Sequence, residues 1–237
     1  MTYVTSDLHG FSLEKFQKLL DKVGFSENDF CIILGDVIDR GVDGIKILQW
    51  LLVQPNVELI LGNHEAMLLK CRFLFDEITD ESLASLGGED LSAFLHWQRN
   101  GAKPTLEALQ RTDAQTRLDI LEYLEESPLY ELVSVNGRDF LLVHGGLRDF
   151  APNKKLRDYC EEDFLWTRPD PEDRYFDDVM TVIGHTPTQY YGYEYKGRAM
   201  KTDTWIDIDT GAGSGGSPML LRLDDLQEFY LDDDTSK

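Results

Sequence analysis

Hydrophobic positions along this chain fall into short runs of strand length, each closed by polar residues or glycine. They are Tyr3 to Thr5, Phe30 to Leu34, Val57 to Leu61, Phe140 to Val143, Thr181 to Ile183, Ile206 to Ile208 and Met219 to Leu223. Runs of this length bounded by turn formers predict buried strands. Between the early runs the apolar period becomes helical. Leu13, Phe16, Leu19, Leu20 and Val23 share one face, with Ser12 placed to cap it, and Ile45, Leu48, Leu51 and Leu52 repeat the pattern. Strand alternating with helix predicts parallel βαβ units over residues 1 to about 70, one half of a layered α/β fold. From 66 to 128 the chain is richer in Leu, Glu, Ala and Gln, with helical patches such as Leu118, Leu121, Tyr123 and Leu124, and reads as a helical insertion. Strands return from about 130, and Gly211, Gly213, Gly215 and Gly216 mark a loop between the last of them.

With 42% hydrophobic and 28% charged residues, the 237-residue chain has apolar material for one substantial core, so a single domain over 1–237 is expected. No apolar run reaches membrane-spanning length, and the first residues run into a strand without a basic or apolar leader, which predicts a soluble, cytoplasmic protein with no membrane partner. Cys31, Cys71 and Cys160 form no Cys-x-x-Cys pair and read as small buried hydrophobes. The formal net charge of −21 argues against a nucleic-acid partner, which needs clustered Lys and Arg. It would repel phosphate substrates too, unless bound divalent cations reverse the local field. Part of the acid, Asp76 to Glu81 and Asp232 to Asp234, reads as solvated surface.

Candidate chemistry sits at the strand ends. Four of the five histidines, His9, His64, His144 and His185, stand at or just after the end of a predicted strand, and Asp7 and Asp36 share the pattern. In open α/β sheets ligands bind outside the carboxyl ends of the strands, so groups distant in sequence can converge there. Asp7 and His9, two apart, are expected on one side of an extended segment, which suits a common metal ion. Gly35 to Gly41 brings Asp36, Asp39 and Arg40 into one loop, and Gly62-Asn63-His64-Glu65 adds an amide oxygen and an imidazole. Two metal ions about 3.5–4 Å apart need a shared ligand, and the Asp36 carboxylate can give one oxygen to each. Taken singly, such residues are most often turn formers; the combination is what points to a site. His96, beside Trp97 in the insertion, is the histidine left over and reads as structural.

Five segments occur in order: Asp7-Leu8-His9-Gly10, Gly35 to Gly41, Gly62-Asn63-His64-Glu65, His144-Gly145-Gly146-Leu147 and Gly184-His185-Thr186. Together they resemble the motif set of the phosphoprotein phosphatase family of calcineurin-like metallophosphoesterases, and the compact length and the Gly-His-Thr form are similar to its bacterial and phage members. The resemblance spans residues 5 to 186 and implies a layered β-sandwich core flanked by helices. It implies that Asp7, His9 and Asp36 bind one metal ion, that Asp36, Asn63, His144 and His185 bind a second, and that Asp36 bridges them. It makes His64 the general acid, oriented by Asp39, and gives Arg40 and, by a looser match, Arg168 the substrate phosphate. A neighbouring carboxylate favours imidazolium, and a planar guanidinium holds two phosphate oxygens at once, so these residue types suit those roles. Ser6, where the family usually has Gly, departs from the pattern without removing a ligand.

By the same resemblance the cofactor is a pair of divalent metal ions, manganese first, with iron or zinc as alternatives. The implied reaction is one-step phosphomonoester hydrolysis by a water or hydroxide held between the metals, on a phosphoprotein or phosphopeptide at serine or threonine, and tyrosine as well. Symmetrical diadenosine tetraphosphate hydrolases share nearly all these motifs and are the alternative; they typically show Asp where this chain has Glu65, which favours the protein phosphatases. A non-catalytic scaffold on the same fold is a remote third reading, because every expected ligand is present. Trp97 to Gly101 followed by Thr105-Leu106 resembles a segment of the bacterial members' insertion and is expected to pack over the site. Asp209-Thr210-Gly211-Ala212 is either an outer partner of the metal ligands or a simple turn.

Overall fold

The computed structural model of the chain describes residues 1–75 and 86–231. Its strands, in chain order, are β1 (Thr2–Thr5), β2 (Phe30–Ile33), β3 (Val57–Leu59), β4 (Tyr130–Val135), β5 (Arg138–Val143), β6 (Val179–Ile183), β7 (Met200–Lys201), β8 (Trp205–Asp207), β9 (Met219–Arg222) and β10 (Gln227–Tyr230). They form two five-stranded sheets, ordered β10-β9-β1-β2-β3 and β4-β5-β6-β8-β7. Within the first sheet β1, β2 and β3 are parallel, and within the second β5, β6 and β8 are parallel. Helices follow the early strands as the periodicity predicts: α1 (Leu13–Lys22), α2 (Gly44–Leu51) and α3 (Asn63–Lys70). Ser12 caps α1, its hydroxyl accepting from the Lys15 N–H at 3.4 Å.

The apolar runs are unbroken because the central strands are covered on both faces. Val4, Ile32 and Leu34 meet Phe140, Leu142, Val182 and Ile206 of the second sheet. The alternate residues Tyr3, Cys31 and Ile33 point to the opposite face, against Phe16 and Leu19 of α1 and Ile47 and Leu48 of α2. Leu141, Val143, Ile183 and Trp205 form the outer core of the second sheet with Phe164 and Tyr175. The fold is thus a β-sandwich with helices on the flank, as expected.

The stretch read as an insertion holds α4 (Gly88–Arg99), α5 (Lys103–Arg111) and α6 (Ala114–Glu126). Trp97, Leu109, Ile120, Leu121 and Leu124 bury their side chains in the same core as α1 and α2. The helical character begins earlier than residue 66, since Asn63 and His64 already form the first turn of α3. β3 ends at Leu59, short of the predicted Leu61, because the Leu61 N–H turns away to the Pro128 carbonyl at 2.8 Å. A short helix, α7 (Glu161–Leu165), follows Cys160. That cysteine corrects the sequence reading: Cys31 and Cys71 are buried, but Cys160 is exposed at the start of α7. The acidic stretches at 76–81 and 232–234 lie outside the described residues. Among the described residues no helix is long and apolar enough to cross a membrane.

Candidate active site

The carboxyl ends of all six parallel strands deliver polar groups to one region. β1 leads to Asp7 and His9, β2 to Asp36, β3 to Asn63 and His64, β5 to His144, β6 to His185, and β8 to Asp209. The two sheets are joined there: the His185 N–H donates to Asp7 Oδ2 at 2.8 Å, and His144 Nδ1 lies 2.6 Å from the Leu34 carbonyl. Such close approach needs glycine. A Cβ at Gly184 would stand 2.2 Å from Asp7 Oδ2, and one at Gly35, where φ is +79°, would stand 2.4 Å from Gly62 Cα.

The backbone is also strained here. Among the described residues, six of the nine non-glycine residues with positive φ are Asp7, His9, Asp36, Asp39, Arg40 and His185. Left-handed conformations in non-glycine residues cost energy and cluster at functional sites. They also correct the expectation for Asp7 and His9. With φ of 52° and 44° these residues are not extended, so strand alternation does not bring them together; two left-handed turns do.

Two groups of ligand atoms share Asp36. His9, Asp36 and His64 form one and Asp36, His144 and His185 the other, each with its ligand atoms within 4.8 Å of one another. Asp36 Oδ2 lies 3.5 Å from His9 Nε2, and its Oδ1 lies 3.5 Å from His144 Nε2. His9 Nδ1 is 3.1 Å from the Ile38 carbonyl, so its proton sits there and the Nε2 lone pair faces the carboxylates of Asp36 and, at 3.9 Å, Asp7. His144 is arranged alike: Nδ1–H serves Leu34, and the Nε2 lone pair faces Asn63 Oδ1 at 2.8 Å. Lone pairs facing carbonyl and carboxylate oxygens, with no proton between them, are a donor set for cations. Asp7 Oδ1 and His185 Nε2 are buried without a hydrogen-bond partner, which fits the same set.

Burial pushes the imidazoles of His9, His144 and His185 below their ordinary range, His144 to about 3, and so keeps them neutral as ligands must be. Burial pushes Asp7 and Asp36 up, with Asp209 adding to the first and Asp7 to the second.

His64 differs from Asp7, although the distances group it with His9 and Asp36. Both its nitrogens are occupied: Nδ1 lies 2.6 Å from Asp39 Oδ2, and Nε2 lies 3.2 Å from the Arg40 guanidinium. Arg40 can only donate, so Nε2 accepts and the ring proton faces Asp39. Asp39 is in turn fixed by the insertion. Trp97 Nε1 donates to its Oδ2 at 2.8 Å, the Thr105 hydroxyl donates to its Oδ1 at 2.6 Å, and the Arg40 N–H donates to the Gly101 carbonyl at 3.0 Å. The Trp97-to-Thr105 segment therefore grips the Asp39-Arg40 pair instead of simply packing over the site.

Arg40 and Arg168 are exposed at the rim of this buried cluster. Arg168 is held from behind, donating to the His185 carbonyl at 3.0 Å and the Thr186 hydroxyl at 3.1 Å. Asp209 is buried beside Asp207, whose Oδ1 accepts from the Asp209 N–H at 2.8 Å; burial raises Asp209 to about 6. Its own Oδ1 accepts from the Gly211 N–H at 2.9 Å, the bond of a strand-end turn, while its charge raises Asp7. His96 is exposed, 5.7 Å from the Trp166 ring, and that ring lies 5.9 Å from His185. The sequence reading used Glu65 only to choose between substrate classes and missed its structural role. Buried and bound by the N–H groups of Asp36, Val37, Ile38 and Gly62 at 2.8–3.2 Å, its carboxylate ties the second ligand loop to the third. A Glu three residues into a helix start was the available signal.

The family described as calcineurin-like phosphoesterase matches residues 2–211. The symmetrical bis(5'-nucleosyl)-tetraphosphatase of Wigglesworthia glossinidia brevipalpis is 35% identical over 101 residues, 41% of this chain and 37% of that protein. Its counterpart in Acidovorax sp. (strain JS42) is 29% identical over 147 residues, 61% of this chain and 43% of that one. The match thus spans less than half the length of these relatives. Among solved structures, a candidate diadenosine tetraphosphatase is similar at a TM-score of 0.64 and 17% identity, covering 98% of this chain and 94% of its own. A serine/threonine phosphatase from Saccharomyces cerevisiae with similarity to human PP5 is similar at 0.58 and 16%, covering 99% and 81%. A cold-active protein-tyrosine phosphatase from Shewanella sp. is similar at 0.55 and 18%, covering 94% and 75%. At these identities the likeness to solved structures concerns the fold alone.

Proposed function

We infer that this chain, which belongs to the calcineurin-like phosphoesterase family, is a dinuclear metal-dependent hydrolase whose substrates are dinucleoside tetraphosphates. The observation that carries the reading is the Asp36 carboxylate, one oxygen turned to His9 and the other to His144, between two ligand groups that each keep an unpartnered buried donor. Asp7, His9 and Asp36 would hold one cation and Asp36, Asn63, His144 and His185 the other. Oxygen and imidazole donors without thiolate suit manganese. When bound, divalent cations supply Lewis-acid polarisation of a phosphate and lower the pKa of water.

The remaining steps belong to side chains. Arg40 and Arg168, at the exposed rim, can clamp phosphate oxygens with paired N–H groups. As Arg40 turns to the phosphate it leaves His64 Nε2, which can then take a proton from water and pass it to the departing oxygen. Asp39 keeps hold of Nδ1–H throughout, so the ring is presented in one orientation.

The substrate choice revises the expectation of a phosphoprotein, which rested on Glu65. That side chain is fully buried and bound to four backbone N–H groups, so it touches loops and no substrate. Support for the tetraphosphate comes from the curated relatives, which are named for it. The test is hydrolysis by the manganese-loaded chain of diadenosine tetraphosphate, serine and tyrosine phosphopeptides and 4-nitrophenyl phosphate. We expect kcat/KM for the tetraphosphate to exceed that for either peptide by about tenfold or more. The reverse order would transfer the chain to protein phosphatases, and no metal-dependent turnover of any of the four would end the reading.

A further inference from the structure

Beside the proposed metal-ligand cluster lies a cleft of about 460 Å³, within the usual size of small-molecule sites, of which the mechanism above uses only Arg168. Arg168 belongs to both: its guanidinium is held over His185, and it lines the cleft. Trp166, whose ring stands 5.9 Å from that of His185, forms the wall between them. We propose that this cleft binds the nucleoside phosphate portion of the substrate that extends beyond the scissile phosphate, with Arg148 taking a distal phosphate and Phe150 and Trp166 the flat base.

Three arginines line one cleft in a chain with 44 acidic and only 23 basic residues, so the concentration is local. They are not equivalent. Arg174 is committed to Asp203 at 3.1 Å and Asp177 at 3.3 Å and contributes field more than contact. Arg148 is exposed, and Asp163 approaches only its Nε, at 3.9 Å, which leaves the end of the guanidinium available. Phe150 and Trp166 are half-buried and line the cleft, and aromatic side chains stack nucleobases. Asp149 and Asp173, also in the lining, supply acceptors of the kind that ribose hydroxyls use. Phosphate, flat ring and sugar hydroxyls are thus matched in one place, which suits a nucleotide better than an acidic peptide.

The cleft is preformed. The Tyr175 hydroxyl accepts from the Leu147 N–H at 3.1 Å and fixes the chain that carries Arg148. Gly146, with φ of +137°, admits that hydroxyl, because a Cβ there would stand 2.5 Å from it. The opposite wall is pinned through the Thr167 hydroxyl, which donates to the Asp163 carbonyl at 2.7 Å.

The inference rests on the proposed tetraphosphatase reading but can fail separately from it. A symmetric cut of a four-phosphate bridge leaves two phosphates on each nucleoside, so ADP is the probe. Calorimetry on the manganese-loaded chain should show ADP affinity falling about tenfold in Arg148→Ala and in Phe150→Ala, with inorganic phosphate binding unchanged. KM for diadenosine tetraphosphate should rise in parallel, while 4-nitrophenyl phosphate, too short to reach the cleft, keeps its kcat and KM. Arg148→Glu, which cannot harm packing at an exposed position, should go further in the same direction. ADP affinity equal in wild type and all three variants would overturn the subsite, as would an equal rise in KM for a serine phosphopeptide. Wild-type protein that binds ADP through Arg148 yet leaves the tetraphosphate intact would overturn the proposed substrate and support the subsite.

Discussion

His64 is drawn from both ends of its ring, by the Asp39 carboxylate at 2.6 Å and by the Arg40 guanidinium at 3.2 Å. Replacing it with Asn removes the proposed proton donor and leaves the proposed metal ligands in place. His64→Asn should therefore lower kcat for substrates with a poor leaving group by about 10²–10⁴-fold, measured with metal content unchanged. 4-Nitrophenyl phosphate, whose leaving group departs readily without a proton, should lose much less. The buried ligands predict a pH effect on the metal-free chain. Asp7, Asp36, Asp207 and Asp209 are all raised by burial, Asp209 to about 6, so the folded state holds protons that the unfolded state has released. Stability is then lost as pH rises through those folded values. His9, His144 and His185 are lowered and act in the opposite sense, but only below their ordinary value near 6.5. Thermal midpoints of chelated protein should accordingly fall as pH rises above about 6.5, where the histidines no longer offset the carboxylates, and added manganese should flatten that fall; a flat metal-free profile would contradict it.

At the scale of elements, α4 and α5 reach across to the loop after β2. Trp97 and Thr105 hold the two oxygens of Asp39, so Trp97→Phe and Thr105→Val each remove one charge-assisted hydrogen bond while keeping the apolar bulk. Each should lower kcat for poor leaving groups by about tenfold, with KM and metal affinity near wild type. An equal loss with 4-nitrophenyl phosphate would mean general disruption instead. The reach of this contact explains why the sequence placed the segment over the site without naming Asp39 as its partner. Trp97 and Thr105 stand 58 and 66 residues from Asp39, and no local periodicity encodes a partner at that distance. The strand-end histidines were readable because a polar group closing an apolar run stands out against its neighbours. β7 and β10 were not, since Met200–Lys201 and Gln227–Tyr230 lie at sheet edges and carry polar residues that interrupt the hydrophobic signal. Asp7 and His9 were found for a wrong local reason: their pairing comes from left-handed backbone, which residue spacing does not report.

For the molecule as a whole, two sheets meet where buried carboxylates and neutral imidazoles crowd together. Cations that bind this native arrangement and not the unfolded chain should stabilise it by about 2.7 kcal/mol at a hundredfold excess over Kd. Chelation should therefore lower the midpoint of unfolding, and the shift should grow with metal concentration on reloading. Gly184→Ala places a methyl group 2.2 Å from Asp7 Oδ2 at the junction of the sheets. This variant should lose metal-dependent stabilisation even where it folds, read by the same melting series.

Glu65 has a consequence for metal choice. Its carboxylate receives N–H groups from the Asp36 loop and from Gly62, immediately before Asn63, so its length sets how far apart those two ligand-bearing loops stand. Aspartate, shorter by one methylene, would draw the loops together or leave some of those N–H groups without an acceptor. On the proposed reading, a difference at this position would then be one of gauge, selecting cations by radius, and not one of substrate recognition. Glu65→Asp should shift the ranking of manganese against smaller or larger divalent ions in a reconstitution series while leaving the order of substrates as it was.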